Sequence, residues 1–113
     1  MDANAELSRN EAEALPGATL LEFGAAWCGV CRATAPAIRS ALAGHPGVRH
    51  LKIEDGAGRP LGRSFGVKLW PTLVFLRDGR ETARLVRPRD IGPIADALAA
   101  IEAPAAATGT GSR

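Results

Sequence analysis

Residues 22–32 read Glu22-Phe23-Gly24-Ala25-Ala26-Trp27-Cys28-Gly29-Val30-Cys31-Arg32. Thr19–Ala25 is a short apolar run interrupted by Glu22, the pattern of a buried strand in a parallel sheet. From Cys28 to Leu42 the pattern changes, and Ala35, Ile38 and Leu42 fall on one face of a helix. The two cysteines therefore stand at a strand-to-helix junction. Three residues apart, they can close a small disulfide with little backbone movement. Gly29 permits the tight approach. Cys28 is expected at the helix N-terminus, where unpaired amides and the positive end of the macrodipole stabilise a thiolate. Cys31 lies one turn in and is expected to be the more buried. That asymmetry suits an exposed thiolate that attacks a target disulfide and a buried thiol that resolves the mixed disulfide. The competing reading is a pair of cysteines acting as small core residues.

On the N-terminal side, a short strand is expected at Asn4–Leu7 and a short helix from Ser8. Ser8 and Glu11 form a capping box, and Pro16–Gly17 stops the helix. On the C-terminal side, Gly44 is placed as the C′ residue of the cysteine-bearing helix. Pro36 inside that helix costs a hydrogen bond and bends the axis. Val48–Glu54 reads as a strand, Asp55–Pro60 as a Gly-rich loop and Leu61–Phe65 as a short helix. Thr72–Arg77 and Glu81–Val86 read as a hairpin, because Asp78-Gly79 supplies the positive φ that such turns need. Asp90 is expected to cap a last helix whose apolar face carries Ile91, Ile94, Leu98 and Ile101. Residues 103–113 are low in complexity and read as a disordered tail, which leaves residues 1–102 as a single domain. The order β-α-β-α-β-β-α predicts an α/β fold, a central mixed β-sheet flanked by helices on both faces.

Composition excludes several function classes. The chain has 113 residues, of which 25 are Leu, Ile, Val or Phe, enough for one modest core. Its 14 basic and 12 acidic residues are scattered, so charge does not point to nucleic acid. No apolar run approaches the roughly 18 residues of a membrane helix. The polar, acidic N-terminus lacks the features of a secretory leader, so the cytoplasm is the expected location. Two cysteines are too few for a disulfide framework or a four-ligand zinc site, and His45 and His50 lack zinc-site spacing. No metal is expected.

The stretch quoted first, followed by Pro36, is joined by a second block. It runs Phe65-Gly66-Val67-Lys68-Leu69-Trp70-Pro71-Thr72-Leu73-Val74-Phe75 and is followed by Asp78-Gly79. Together the blocks resemble the thioredoxin family, which pairs a WCxxC turn with a downstream Pro-Thr segment and a Gly hairpin. The resemblance runs from about Asn4 to Ile101, with a shortened N-terminal part. It implies a thioredoxin-like fold and a protein thiol–disulfide oxidoreductase, with Cys28 as nucleophile and Cys31 as resolving thiol. It implies that Pro71 is the family's cis-proline, packed beside the CxxC turn, and that the peptide at Trp70 pairs with a substrate strand. Glu22 matches the buried acid beneath the CxxC. Desolvation should raise the pKa of a carboxylate there, fitting it to relay a proton to or from Cys31. The other reading of Glu22 is a residue turned to the sheet edge or paired with Arg. Trp27, Gly29, Val30, Trp70, Pro71 and Arg87 are the expected substrate-facing residues. Protein disulfides are the implied substrates, and a thioredoxin-reductase-like enzyme is the implied recycling partner. No cofactor is needed, since the dithiol itself does the redox work, and a monomer is expected.

The chain departs from the family pattern at several points. Val30 stands where reducing thioredoxins usually carry Pro, so a less reducing protein is expected. Gly24 replaces a common aromatic. His50 falls where many members carry Lys near the buried acid; it either titrates beside Glu22 or, as the plainer reading, is an ordinary strand histidine. Trp70 is unusually bulky and is either a groove wall or a core residue. Arg87 stands at the expected Gly of the loop before the last helix. With Arg89 and Arg32, it is expected to lower the Cys28 pKa and favour acidic targets. The changed surface at Trp70 and Arg87 also admits an alternative: a partner-binding or redox-sensing module without turnover.

Overall fold

β1 (Ala18–Gly24) is buried along all seven residues, which fits the near-continuous apolar run. It lies inside a computed structural model that describes residues 7–103. β2 (Arg49–Glu54) pairs with it in parallel and β3 (Thr72–Arg77) antiparallel, while β4 (Arg80–Val86) pairs antiparallel with β3. The sheet order is β2-β1-β3-β4, the mixed sheet expected.

Alternation along the strands divides the core in two. Ala18, Leu20, Leu73 and Phe75 pack with Ile38 and Ala41 of α2 (Gly29–Ala43) and with Ile94, Leu98 and Ile101 of α4 (Ile91–Glu102). Leu21, Phe23, Ile53, Val74 and Leu76 pack on the other face. There they meet Ala12 of α1 (Arg9–Glu13), Leu61 of α3 (Pro60–Ser64) and Phe65. Helices thus cover both faces. Glu22 shares its side of β1 with Leu20, so it points under α2.

Local signals explain most boundaries. The capping box forms: the Ser8 hydroxyl accepts from the Glu11 amide at 3.0 Å, and the Glu11 carboxylate accepts from the Ser8 amide at 2.8 Å. The β3–β4 turn has φ +53° at Asp78 and +81° at Gly79, the two positive values of a tight hairpin. A Cβ on Gly79 would collide with the backbone of Glu13, so this glycine also lets α1 approach the hairpin.

Three expectations need correction. Gly44 is the C-cap itself, in the right-handed region at φ −86°, and its amide closes back onto Ala41 and Leu42. Asp90 occupies the N-cap of α4 but makes no capping hydrogen bond. Ile91 is 45% exposed, since the buried stripe of α4 begins only at Ile94. Of the expected strand Asn4–Leu7, only Leu7 lies among the described residues, and it is not in a strand. Apart from Ala103, the expected tail lies outside the described residues.

Candidate functional site

β1 and β2 run in parallel, and the cysteines sit just past the C-terminal end of β1. The Asp55 amide extends the pairing by donating to the Gly24 carbonyl at 2.8 Å. The chain then turns through Ala25–Trp27, where the Cys28 amide donates to the Ala25 carbonyl at 3.1 Å. Cys28 is the N-cap of α2. Its Sγ accepts from the Cys31 amide at 3.1 Å, as a capping oxygen would. Neither cysteine is in a disulfide.

As whole residues the two do not follow the expected order of burial, Cys28 being 7% exposed and Cys31 half-buried, yet at the Cys31 thiol burial is the leading influence, as expected. Electrostatics adds to the asymmetry. Burial alone would push the Cys28 thiol up. It is outweighed by a hydrogen bond from Cys31, by the amides of Cys31 and Val30, and by the charge of Arg87, so the net shift is downward. Cys31 moves the opposite way, pushed up to about 11. Its desolvation leads, its hydrogen bond to Cys28 holds the proton on, and the charges of Cys28 and Glu22 add to this against an opposing backbone bond at Ala25. Of the three arginines expected to act on Cys28, Arg87 alone is among the causes of its shift; Arg32 donates to the Ala26 carbonyl at 3.4 Å.

Glu22 is 5% exposed. Its Oε1 lies 2.7 Å from His50 Nε2 on β2. Register places His50 beside Leu20, on the side of the sheet that Glu22 faces. The carboxylate is paired with His50, and no Arg takes that place.

On the far side of the dithiol, the Trp70–Pro71 peptide is cis. Trp70 is half-buried and does not belong to the core. Its Nε1 donates to Asp55 Oδ2 at 2.8 Å, and its ring meets the exposed Trp27 edge-on at 5.2 Å and 71°. Arg87 adopts φ +52°, in the left-handed region that favours glycine. Its amide donates to the Pro71 carbonyl at 2.9 Å and its Nε to the Trp70 carbonyl at 2.7 Å. Gly29 and Val30 are exposed at the first turn of α2.

Cys28, Trp27, Trp70, Pro71 and Arg87 are therefore joined by direct contacts or charge, and Glu22 acts on Cys31 through its charge. Asp55 and Leu69 were not anticipated. Asp55 holds the Trp70 indole, and Leu69 is 49% exposed in the same loop. One signal for Asp55 was available: a carboxylate just past the C-terminal end of a parallel strand stands where α/β folds gather function.

Comparisons with known proteins agree with this arrangement. A family model described as thioredoxin matches residues 6–100. The structure of thioredoxin 2 from Pseudomonas aeruginosa PAO1 in its reduced form superposes with a TM-score of 0.79 at 50% identity, covering 88% of this chain and 93% of that one. Thioredoxin from Chlamydia muridarum is 39% identical over 75 residues, 66% of this chain and 72% of that protein. Protein disulfide-isomerase A2 from Pongo abelii is 42% identical over 87 residues, 72% of this chain but 17% of that much longer protein.

Proposed function

Since the chain belongs to the thioredoxin family, whose members are thiol–disulfide oxidoreductases, we propose that Cys28 and Cys31 are its redox pair and protein disulfides its substrates. The observation that carries this reading is the dithiol at one helix N-cap, where Cys28 Sγ accepts from the Cys31 amide at 3.1 Å and the two thiols are displaced in opposite directions. The lowered Cys28 is the sulfur that more readily offers a thiolate, while Cys31 keeps its proton at neutral pH. The Cys28 thiolate attacks one sulfur of a target disulfide. A Cys28–substrate bond forms, the substrate bond breaks, and the leaving sulfur takes up a proton. Cys31 then loses its proton and attacks Cys28 Sγ. The Cys28–Cys31 bond forms, the mixed disulfide breaks, and the second substrate thiol is released. Two electrons have passed from the dithiol to the target.

The difficult step is deprotonation of Cys31, whose thiol is held near 11. Glu22 is the proposed acceptor of that proton, and His50, one strand nearer solvent, the group that passes it outward. Once Cys28 is consumed in the mixed disulfide, its negative charge and its acceptor role are gone, and two causes of the high Cys31 value vanish with them.

Trp27, Gly29, Val30, Trp70 and Pro71 are the proposed substrate-facing surface. The Trp70 carbonyl already accepts from Arg87, but an oxygen with two lone pairs has room for a substrate amide. Val30, standing where reducing thioredoxins usually carry Pro, supports a less reducing protein than the usual thioredoxin. A thioredoxin-reductase-like enzyme is the proposed recycling partner, the cytoplasm the proposed location and a monomer the proposed state. No helix among the described residues is long and apolar enough to cross a membrane. The relatives do not favour the alternative of a module without turnover.

The test is a pair of variants in an insulin disulfide-reduction assay. Cys28→Ser is expected to reduce turnover to background. Cys31→Ser is expected to accumulate mixed disulfides through Cys28, visible by mass spectrometry. Full activity of Cys28→Ser would sink the assignment.

A further inference from the structure

Beside the dithiol, a groove of about 390 Å³ runs between α2 and the loop from β4 to α4. Its α2 wall carries Val30, Ala33, Thr34 and Ala37, and its loop wall carries Arg87, Pro88 and Arg89. The α2 wall is made of small side chains and is largely apolar, and the Thr34 hydroxyl is spent on the Cys31 carbonyl at 3.1 Å. The loop wall brings two guanidinium groups, and no acidic side chain lines the groove. Asp90 follows Arg89 in the chain, but it is exposed and does not line the groove.

Arg87 is held in one place. Its backbone is pinned by the Pro71 carbonyl and its Nε by the Trp70 carbonyl. Among the described residues neither of its terminal nitrogens makes a hydrogen bond, and Arg89 is exposed with no ion pair or hydrogen bond. A guanidinium fixed through Nε still presents Nη groups to a carboxylate. Holding an arginine at φ +52° costs conformational energy that glycine would not incur.

Resting on the oxidoreductase reading above, we infer that this groove selects the targets of Cys28: it takes an acidic segment flanking the disulfide, with Arg87 and Arg89 as the residues that read its carboxylates. Val30 lies at one end of the groove and is two residues from Cys28. A segment seated there is continuous with the sulfur under attack. Small aliphatic side chains of the segment lie against Ala33 and Ala37, and its carboxylates face the loop wall. Because the arginines are exposed, their contribution is expected in the rate of encounter and to fade with salt.

Arg87 also acts on Cys28 itself, so a variant at this position alters reactivity toward every target. The informative quantity is therefore a ratio. Two disulfide-linked peptides of one sequence are compared, one with Glu at two positions beside the cysteine and one with Lys there. With the wild-type protein, kcat/KM for the Glu peptide is expected to exceed that for the Lys peptide by about tenfold in low salt, shrinking to about twofold near 1 M salt. In the double variant Arg87→Gln/Arg89→Gln the low-salt ratio is expected to fall to about twofold or less. Equal rates for the two wild-type peptides overturn the proposal, as does a preference that survives both substitutions. A concentration-dependent dimer in sedimentation, lost in the double variant, would assign the groove to a second copy of the chain and also overturn it. Failure to reduce either peptide would strike the oxidoreductase reading itself.

Discussion

The two faces of the sheet are built for different ends. The face toward α1 and α3 is held by Leu21, Phe23, Ile53, Val74 and Leu76, with Phe23 and Phe65 rings 5.8 Å apart. Its buried hydroxyls, Thr19 and Thr72, spend their bonds locally on Arg49 and on the Leu69 carbonyl. The face toward α2 and α4 has an equally apolar centre, but toward the C-terminal end of β1 it admits Glu22 and His50 beneath the dithiol. Desolvating a carboxylate costs free energy that an apolar residue would not. That cost falls on the face that carries the cysteines. Stability and chemistry are therefore separable by face.

The largest expected effect falls on the face without chemistry. Phe23→Ala should cost about 3–5 kcal/mol in urea unfolding, because it removes a fully buried ring between β1 and α3. The Cys28 titration should not move. A changed titration in the folded variant would show that the faces are coupled. A smaller stability effect, with a functional one attached, is expected from His50→Ala. It strips Glu22 of its 2.7 Å partner at a site only 5% exposed, with a cost of about 1–3 kcal/mol. It should also slow release from the Cys28 mixed disulfide in single-turnover kinetics, while alkylation of Cys28 stays unchanged. The smallest effect is expected from His45→Ala. His45 and Glu102 form a pair of the same 2.7 Å length at the far ends of α2 and α4, and its carboxylate is 35% exposed where that of Glu22 is 6%. Its loss should cost less than about 1 kcal/mol and leave turnover untouched. If the two histidine variants behaved alike, burial of the carboxylate would not be what distinguishes the pairs.

The elements were legible because each has a local signal. The capping box at Ser8, the Asp78-Gly79 hairpin and the seven buried residues of β1 need only neighbouring residues to be read. The dithiol and Pro71 were legible from two short blocks. What stayed hidden depends on pairs distant in sequence. His50 reads as an ordinary strand residue until the parallel register sets it on the Glu22 side of β1. The fate of Trp70 depends on Asp55, 15 residues upstream, which anchors its indole nitrogen. The Cys28 shift depends in part on Arg87, which only the fold brings beside the helix N-cap. Asp90 shows the opposite failure: the residue type and position are right for a cap, but the hydrogen bond is not made.

The most direct test of the account is the pH dependence of alkylation at each cysteine in the reduced protein, with modified sites assigned by mass spectrometry. Iodoacetamide reacts with the thiolate, so each rate rises through the pKa of its own sulfur. Cys28 is expected to react with a midpoint below that of an ordinary thiol, while Cys31 stays unmodified until the pH approaches about 11. Reaction of Cys31 first, or a single shared midpoint at the ordinary value, would contradict the division of labour between the two sulfurs.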